Sequence, residues 1–197
     1  MKAIKPKVIH RGNGEVLGIR KGGKTIFSKT LIPKLDLSYG VLPDNWEFKR
    51  VDGFDPEKLP WKLGDETVQE AYCGFTLNRI PGCKRMEWMA ELWRVLVPGG
   101  KVSIIVPYWS SPRAIQDPNS QWPPFCDQSF NYFNKAFRDV NKEPKNWEGY
   151  CDFDIAGGYQ FHPDTMTKAD DVKAFWVMHY LNAVTDIQMV LTKRQKG

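Results

Sequence analysis

One segment constrains the fold of this chain more than any other: "KRMEWMAELWRVLVPGGKVSIIVPY", residues 84 to 108. Met86, Met89, Ala90, Trp93 and Leu96 recur at steps of three and four, which predicts an amphipathic helix with one buried stripe. Pro98-Gly99-Gly100 stops that helix. The β-branched run in "KVSIIVPY" then reads as a central strand covered on both faces. Parallel strands need crossover connections, so a helix, a tight turn and a buried strand in series predict an α/β sheet.

The surroundings extend this pattern. "DIQMVLTKR" reads as a final strand, and "DVKAFWVMHYLNAV" before it as a helix, with Thr167 and Asp170 spaced as a capping box. His179 falls on the apolar stripe of that helix with Val172, Phe175, Trp176 and Ala183, which predicts a packed core histidine. "QSFNYFNKAFRDVN" predicts a helix with Phe130, Phe133, Ala136 and Phe137 inward, followed by a turn-rich stretch through Gly157-Gly158. The proline-rich "SPRAIQDPNSQWPPFCDQ" reads as a long functional loop. Its Ser110, Ser111, Arg113, Gln116 and Asp117 either line an acceptor pocket or belong to a polar loop braced by prolines.

A length of 197 residues supports one sizeable core, and the net charge of +5 is local. Residues 1–33 read as a basic β-hairpin extension, with Gly12-Asn13-Gly14 and Gly22-Gly23 at its turns, and residues 34–197 as the main α/β domain. Up to position 34 nine Lys and Arg face only Glu15, which suits either a solvated hairpin edge or a nucleic-acid contact. Cys73, Cys83, Cys126 and Cys151 are scattered without metal-ligand spacing, so no metal site is expected and the thiols read as reduced. No apolar run reaches a membrane span of about 20 residues, and the start lacks a secretory apolar stretch, so a cytoplasmic protein is expected.

The unit "MAELWRVLVPGGKVSIIVPYW" resembles the helix, PGG turn and fifth strand of class I S-adenosylmethionine-dependent methyltransferases. "LPWKLGDETVQEAYC" before it and "SSPRAIQDPNSQWPP", "YFNKAFRDVNK" and "CDFD" after it extend the resemblance over roughly Lys34 to Arg194. It is strongest to a small group from bacteria and their phages. The resemblance implies a Rossmann-like sheet of seven strands with helices on both faces, mostly parallel with one antiparallel strand near the carboxyl end. It also implies S-adenosylmethionine as cofactor, bound where open α/β sheets place ligands.

Carried onto this sequence, Asp36, Ser38 and Gly40 form the cofactor corner, Asp52 is the candidate partner of the ribose hydroxyls, and Tyr72, Cys73 and Phe75 mark the end of the fourth strand. The acids equally suit turn or cap roles. Ser38 stands where the family has its first corner glycine, and Tyr39 is bulky. Val41 to Leu59 is too short for a second and a third strand with the helix between them. Asn78-Arg79 and Ser120 replace family positions that commonly hold Glu-His and His, leaving Tyr108, Asp117 and Asp152 as weak candidates for catalytic roles.

Three functions follow from these features. The first is methyl transfer to an unknown acceptor. The second is a non-catalytic binding or regulatory descendant of the fold, from a bacterium or phage-infected cell. The third is a nucleic-acid-associated module acting through the basic hairpin, which predicts steep salt dependence of binding.

Overall fold

The computed structural model describes residues 7–10, 16–21, 24–27, 31–39, 47–50, 55–142 and 151–194. Strands β1 (Lys7–His10), β2 (Val16–Lys21) and β3 (Lys24–Phe27) form an antiparallel sheet in sequence order, one strand more than a hairpin. The glycine turns predicted between these strands lie outside the described residues.

The main sheet holds β4 (Ile32–Asp36), β5 (Val68–Gly74), β6 (Leu96–Pro107), β7 (Phe153–Phe161) and β8 (Val184–Lys193), in the order β4-β5-β6-β8-β7. β4, β5 and β6 pair in parallel, and β8 is antiparallel to both of its neighbours, so β7 again runs with β6. This is the expected Rossmann-like α/β course with one antiparallel strand near the carboxyl end. Where seven strands were expected, the described residues hold five in this sheet, with isolated parallel bridges from Leu35 to Lys49 and from Tyr108 to Phe125. At the first bridge the Asp36 N–H donates to the Lys49 carbonyl at 2.9 Å, and the Lys49 N–H to the Lys34 carbonyl at 3.2 Å. Pro33, near which a boundary was expected, lies inside β4.

Helix α1 (Arg85–Val95) connects β5 to β6, and its buried side chains are Arg85, Met86, Trp88, Met89, Leu92 and Val95. The apolar stripe therefore runs one residue out of phase with the predicted one, and Ala90 and Trp93 are only half-buried. β6 begins at Leu96 and passes through Pro98-Gly99-Gly100, which sit in an irregularity of the β5–β6 register. Gly99 has φ +77°, a conformation that favours glycine.

Coverage of the sheet is uneven. Registered partners place Leu35, Ala71, Val102, Leu191 and Ile155 on one face, and Cys73, Ile104 and Met189 lie on it too. That face joins α1 and the aromatic pair Phe130 and Phe133 in a single core. The opposite face carries Glu70, Lys101, Thr192 and Asp154 in one row and Tyr72, Ser103, Val190 and Ala156 in the next, all exposed or half-exposed. β6 was expected to be buried on both faces. Its Val102, Ile104 and Val106 are instead inward and its Lys101 outward, the alternation of a sheet with one wet face. Part of the wet face is shielded by Phe48, whose ring lies 5.8 Å from that of Tyr72.

The second half departs from expectation in four places. The helix predicted across residues 128–141 breaks at Asn134: a 3-10 segment, Asp127–Phe133, precedes α3 (Lys135–Asn141), whose N-cap is the Asn134 side chain accepting from the Phe137 N–H at 3.0 Å. This rotates Arg138 inward and leaves Ala136 exposed. Between β6 and this segment lies a short helix, α2 (Arg113–Gln116). Gly157-Gly158 is no turn but mid-strand in β7, where a Cβ on Gly157 would stand 2.4 Å from the Gln188 carbonyl. After α4 (Pro163–Met166), α5 (Asp170–His179) begins at Ala169 without a side-chain cap, so the predicted box is absent, and Thr167 donates to the Asp164 carbonyl. His179 is exposed and stacks on Phe175 at 4.3 Å, on a helix with no fully buried residue. Among the described residues no helix is long and apolar enough to cross a membrane.

Candidate functional site

Beyond Asp36 the chain stays extended beside β5: the Leu37 N–H donates to the Tyr72 carbonyl at 2.7 Å and the Tyr39 N–H to the Gly74 carbonyl at 2.9 Å. The chain bends at Tyr39. A cleft of about 630 Å³ opens at this carboxyl end of β4, lined by Asp36, Ser38, Tyr39, Arg50, Asp55, Pro56 and Glu57. It has the size and the sheet position of a cofactor site.

Two predicted residues meet here with partners already in place. Asp36 Oδ1 accepts from the Ser38 N–H at 2.9 Å, and Oδ2 pairs with Arg50 Nε at 2.7 Å. Arg50 also donates to the Ser38 carbonyl at 2.7 Å. The Ser38 hydroxyl accepts from the Gly74 N–H at 3.1 Å, tying the ends of β4 and β5 together. A glycine in place of Ser38 would leave that N–H open to a ligand; here the side chain takes it. Gly74 is closely packed, and a Cβ there would press on the Tyr72 ring at 3.1 Å.

The remaining wall is acidic. The Lys58 ammonium and the Glu57 N–H hold the Asp55 carboxyl below its ordinary range. Glu57 lies 3.6 Å from Arg79 Nε. Arg79 stacks over the Tyr39 ring at 3.5 Å and pairs through Nη1 with Asp117 Oδ2 at 2.7 Å, so it joins the cleft to the loop after β6. Asn119, through its backbone and its side chain, and then Arg79 hold the Asp117 carboxyl below its usual range.

Further along the same edge Phe75, with φ +58°, directs its ring under the Arg113 guanidinium, 5.1 Å away. Arg113 Nη1 donates to Asp186 Oδ2 at 2.6 Å. Burial pushes the Asp186 carboxyl up, against the pull of Arg113. Asn78 donates to the Ser120 hydroxyl at 3.2 Å, which keeps the base of the loop against the end of β5.

The other expected site residues part company. Gly40 and Asp52 lie outside the described residues. Tyr72 is on the wet face beside Phe48, and burial raises its phenol. Cys73 points the opposite way, fully buried in the core, its thiol pushed up to about 12 by desolvation. Tyr108 packs in the core edge-on to Tyr159 at 5.5 Å with its phenol raised by burial, so it holds its proton. Asp152 precedes β7 and thus stands at the amino edge of the sheet, where it accepts from the Lys135 N–H at 2.9 Å. A whole strand, roughly 30 Å, separates that edge from the carboxyl edge.

Arg50, Glu57, Arg79 and Asp186 were not singled out as site residues from the sequence. Only the position of Arg79 after β5 offered a signal, as part of a changed pair; the others are brought in by pairing across the sheet edge.

Thiol reactivity checks this arrangement. Cys151 is buried like Cys73, its thiol also pushed up to about 12 by desolvation, and Cys83 is exposed. Because the thiolate is the reactive form, a maleimide at neutral pH is expected to modify Cys83 in the native protein and Cys73 and Cys151 only after unfolding. Mass spectrometry of the labelled peptides reads the outcome, and native labelling of Cys73 would show that β5 is misplaced.

No protein-family model matches the sequence. No curated protein matches it. Among solved structures, the chain is similar to a SAM-dependent methyltransferase from Archaeoglobus fulgidus, at 14% identity and a TM-score of 0.49 over 75% of this chain and 68% of that one. It is similar to an S-adenosylmethionine-dependent methyltransferase from Mesorhizobium loti at 12% identity and a TM-score of 0.38, over 74% and 69%. It is also similar to the 1,6-didemethyltoxoflavin-N1-methyltransferase of Burkholderia thailandensis, solved with 1,6-didemethyltoxoflavin and S-adenosylhomocysteine, at 11% identity and a TM-score of 0.42, over 75% and 52%. This chain thus spans about half the length of the Burkholderia enzyme.

Proposed function

We propose that this chain is a methyltransferase-like protein that takes S-adenosylmethionine in the cleft beside β4 and transfers its methyl group to an acceptor at the neighbouring end of β5. The observation that carries the reading is the carboxylate-lined cleft at the carboxyl end of β4, in a sheet ordered β4-β5-β6-β8-β7.

The residues suit an adenosyl sulfonium. Three carboxylates line the wall, those of Asp36, Asp55 and Glu57, each with a cation beside it, so a bound sulfonium would share them with Arg50, Lys58 and Arg79. Glu57 is placed to accept from ribose hydroxyls, and the half-exposed Tyr39 ring offers a flat apolar surface to a purine. Bound there, the cofactor supplies the methyl group. The protein's task is positioning, since in-line transfer depends chiefly on near-attack geometry. Asp117, held ionised by its neighbours, is the remaining candidate for accepting an acceptor proton.

A second reading, a non-catalytic descendant of the fold, is favoured by one specific arrangement. The Asp36–Arg50 pair and the Ser38–Gly74 hydrogen bond fill the side of the cleft where an amino-acid tail would find its donors. We also take the basic residues 1–33 as a separate appendage and the protein as cytoplasmic, a reading that the free thiols of Cys73, Cys83, Cys126 and Cys151 support.

Calorimetric titration with S-adenosylmethionine and S-adenosylhomocysteine tests the first reading. Saturable micromolar binding is expected, with Glu57→Gln weakening it by roughly tenfold through one lost charge-assisted hydrogen bond. Absence of binding at millimolar ligand would sink it and leave the second reading.

A further inference from the structure

Arg113 opens α2 and reaches across the carboxyl edge of the sheet. Its side chain is 46% exposed, while that of its partner Asp186 is 3% exposed. Only Nη1 is engaged, by Asp186 Oδ2; Nε and Nη2 make no hydrogen bond among the described residues. Those two donors form the side-on fork of a guanidinium, the geometry that matches the two oxygens of a carboxylate or phosphate.

Nothing about this arrangement is economical as a surface ion pair. Asp186 is a buried acid whose Oδ1 has no hydrogen-bond partner within bonding geometry among the described residues, an unfavourable way to hold an exposed cation. Phe75 adopts φ +58°, uncommon for a bulky residue, and its ring lies beneath the guanidinium. Together they hold the guanidinium at Nη1 and against one ring, with Nε and Nη2 left without a protein acceptor among the described residues. The end of β5 links this arginine to the cleft: Phe75, under the guanidinium, follows Gly74, whose N–H is bonded to the cleft-wall hydroxyl of Ser38. The same segment exposes Trp109 and Ile115, by 49% and 76%, as apolar surface for the rest of a ligand.

We propose that Arg113, oriented by Asp186 and Phe75, anchors an oxyanion carried by the methyl acceptor, so that the acceptor class is a small carboxylate or phosphate ester. The identity of the ligand as an acceptor rests on the methyltransferase reading above; the anion site itself does not.

The test uses the full chain, labelled with 15N at arginine, with S-adenosylhomocysteine binding measured separately by calorimetry. Phenyl phosphate and benzoate are titrated while the Arg113 Nε–Hε resonance is followed. A saturable shift with one of the two is expected, and which one does so tells phosphate from carboxylate. Arg113→Gln should abolish the binding, and Arg113→Lys should weaken it by roughly tenfold, because an ammonium cannot form the fork. Asp186→Asn should weaken probe binding while leaving S-adenosylhomocysteine binding unchanged; a merely structural Asp186 would lower the melting temperature and leave probe affinity alone. No shift with either probe at tens of millimolar, or a binding curve unchanged in Arg113→Gln, overturns the anion site. Probe binding without any S-adenosylhomocysteine binding upholds the anion site and overturns its assignment to a methyl acceptor.

Discussion

Trp88→Ala is expected to destabilise the protein by about 3–5 kcal/mol, the range for truncating a large buried aromatic. Trp88 is fully buried, packs edge-on against Trp61 at 5.3 Å, and donates its indole N–H to the Pro56 carbonyl at 2.7 Å. Trp93→Ala, five residues on, is expected to cost less, roughly 2 kcal/mol, because Trp93 is only half-buried at the edge of the core, beside a cation–π contact and one hydrogen bond. Its ring lies under the Lys193 ammonium at 4.1 Å, and its N–H donates to the Asp152 carbonyl. Urea unfolding of the two variants gives the comparison directly, and equal losses would mean that the helix is rotated from its placement here. Because Pro56 sits between Asp55 and Glu57 on the cleft wall, Trp88→Ala should also weaken S-adenosylhomocysteine binding.

The contrast between the two tryptophans marks what was legible in the sequence. The existence, type and order of α1 and β6 were readable, because an apolar period near 3.6 followed by a β-branched run admits few alternatives. The phase of the helix was not. Arg85 belongs to the buried stripe, and a polarity pattern assigns an arginine to the solvent side. The wet face of the sheet was missed for a related reason. "VSIIV" reads as continuously apolar, yet Lys101 and Ser103 in β6, with Glu70 in β5 and Gln188 and Thr192 in β8, alternate against it. The alternation becomes visible only once the strands are in register.

Within the site, legibility followed sequence locality. Asp36 and Ser38, singled out because a strand end followed by small and acidic residues is a local pattern, lie on the cleft wall. Asp152 was misplaced because the edge on which a residue lies depends on strand direction: β7 is parallel to β4, so the residue before it is at the wrong end. The pairs Arg50–Asp36, Arg79–Asp117 and Arg113–Asp186 join residues 14, 38 and 73 positions apart. No spacing rule connects such residues, and only the packed sheet edge does.

Arg85→Ala is expected to destabilise by about 3–5 kcal/mol, as much as the loss of Trp88, although no acid pairs with Arg85. The guanidinium is buried and donates to three carbonyls, those of Ile80, Gln121 and Pro123, at 3.1, 2.9 and 2.6 Å, and it lies 4.1 Å from the Phe125 ring centroid. Desolvation lowers its pKa to about 10, so it stays charged at neutral pH, with carbonyl dipoles and a ring face replacing water. Removing it leaves three acceptors unpaired where the loop after β6 meets α1. Arg85→Met keeps the volume and isolates the hydrogen bonds, and it should lose nearly as much as Arg85→Ala. A loss under about 1 kcal/mol in Arg85→Met would mean that water replaces the guanidinium and that the loop is held by Phe125 packing alone. If the loop is held as described, Arg85→Met also frees the segment carrying Arg113 and Asp117, and phenyl phosphate or benzoate binding should fall in parallel with stability.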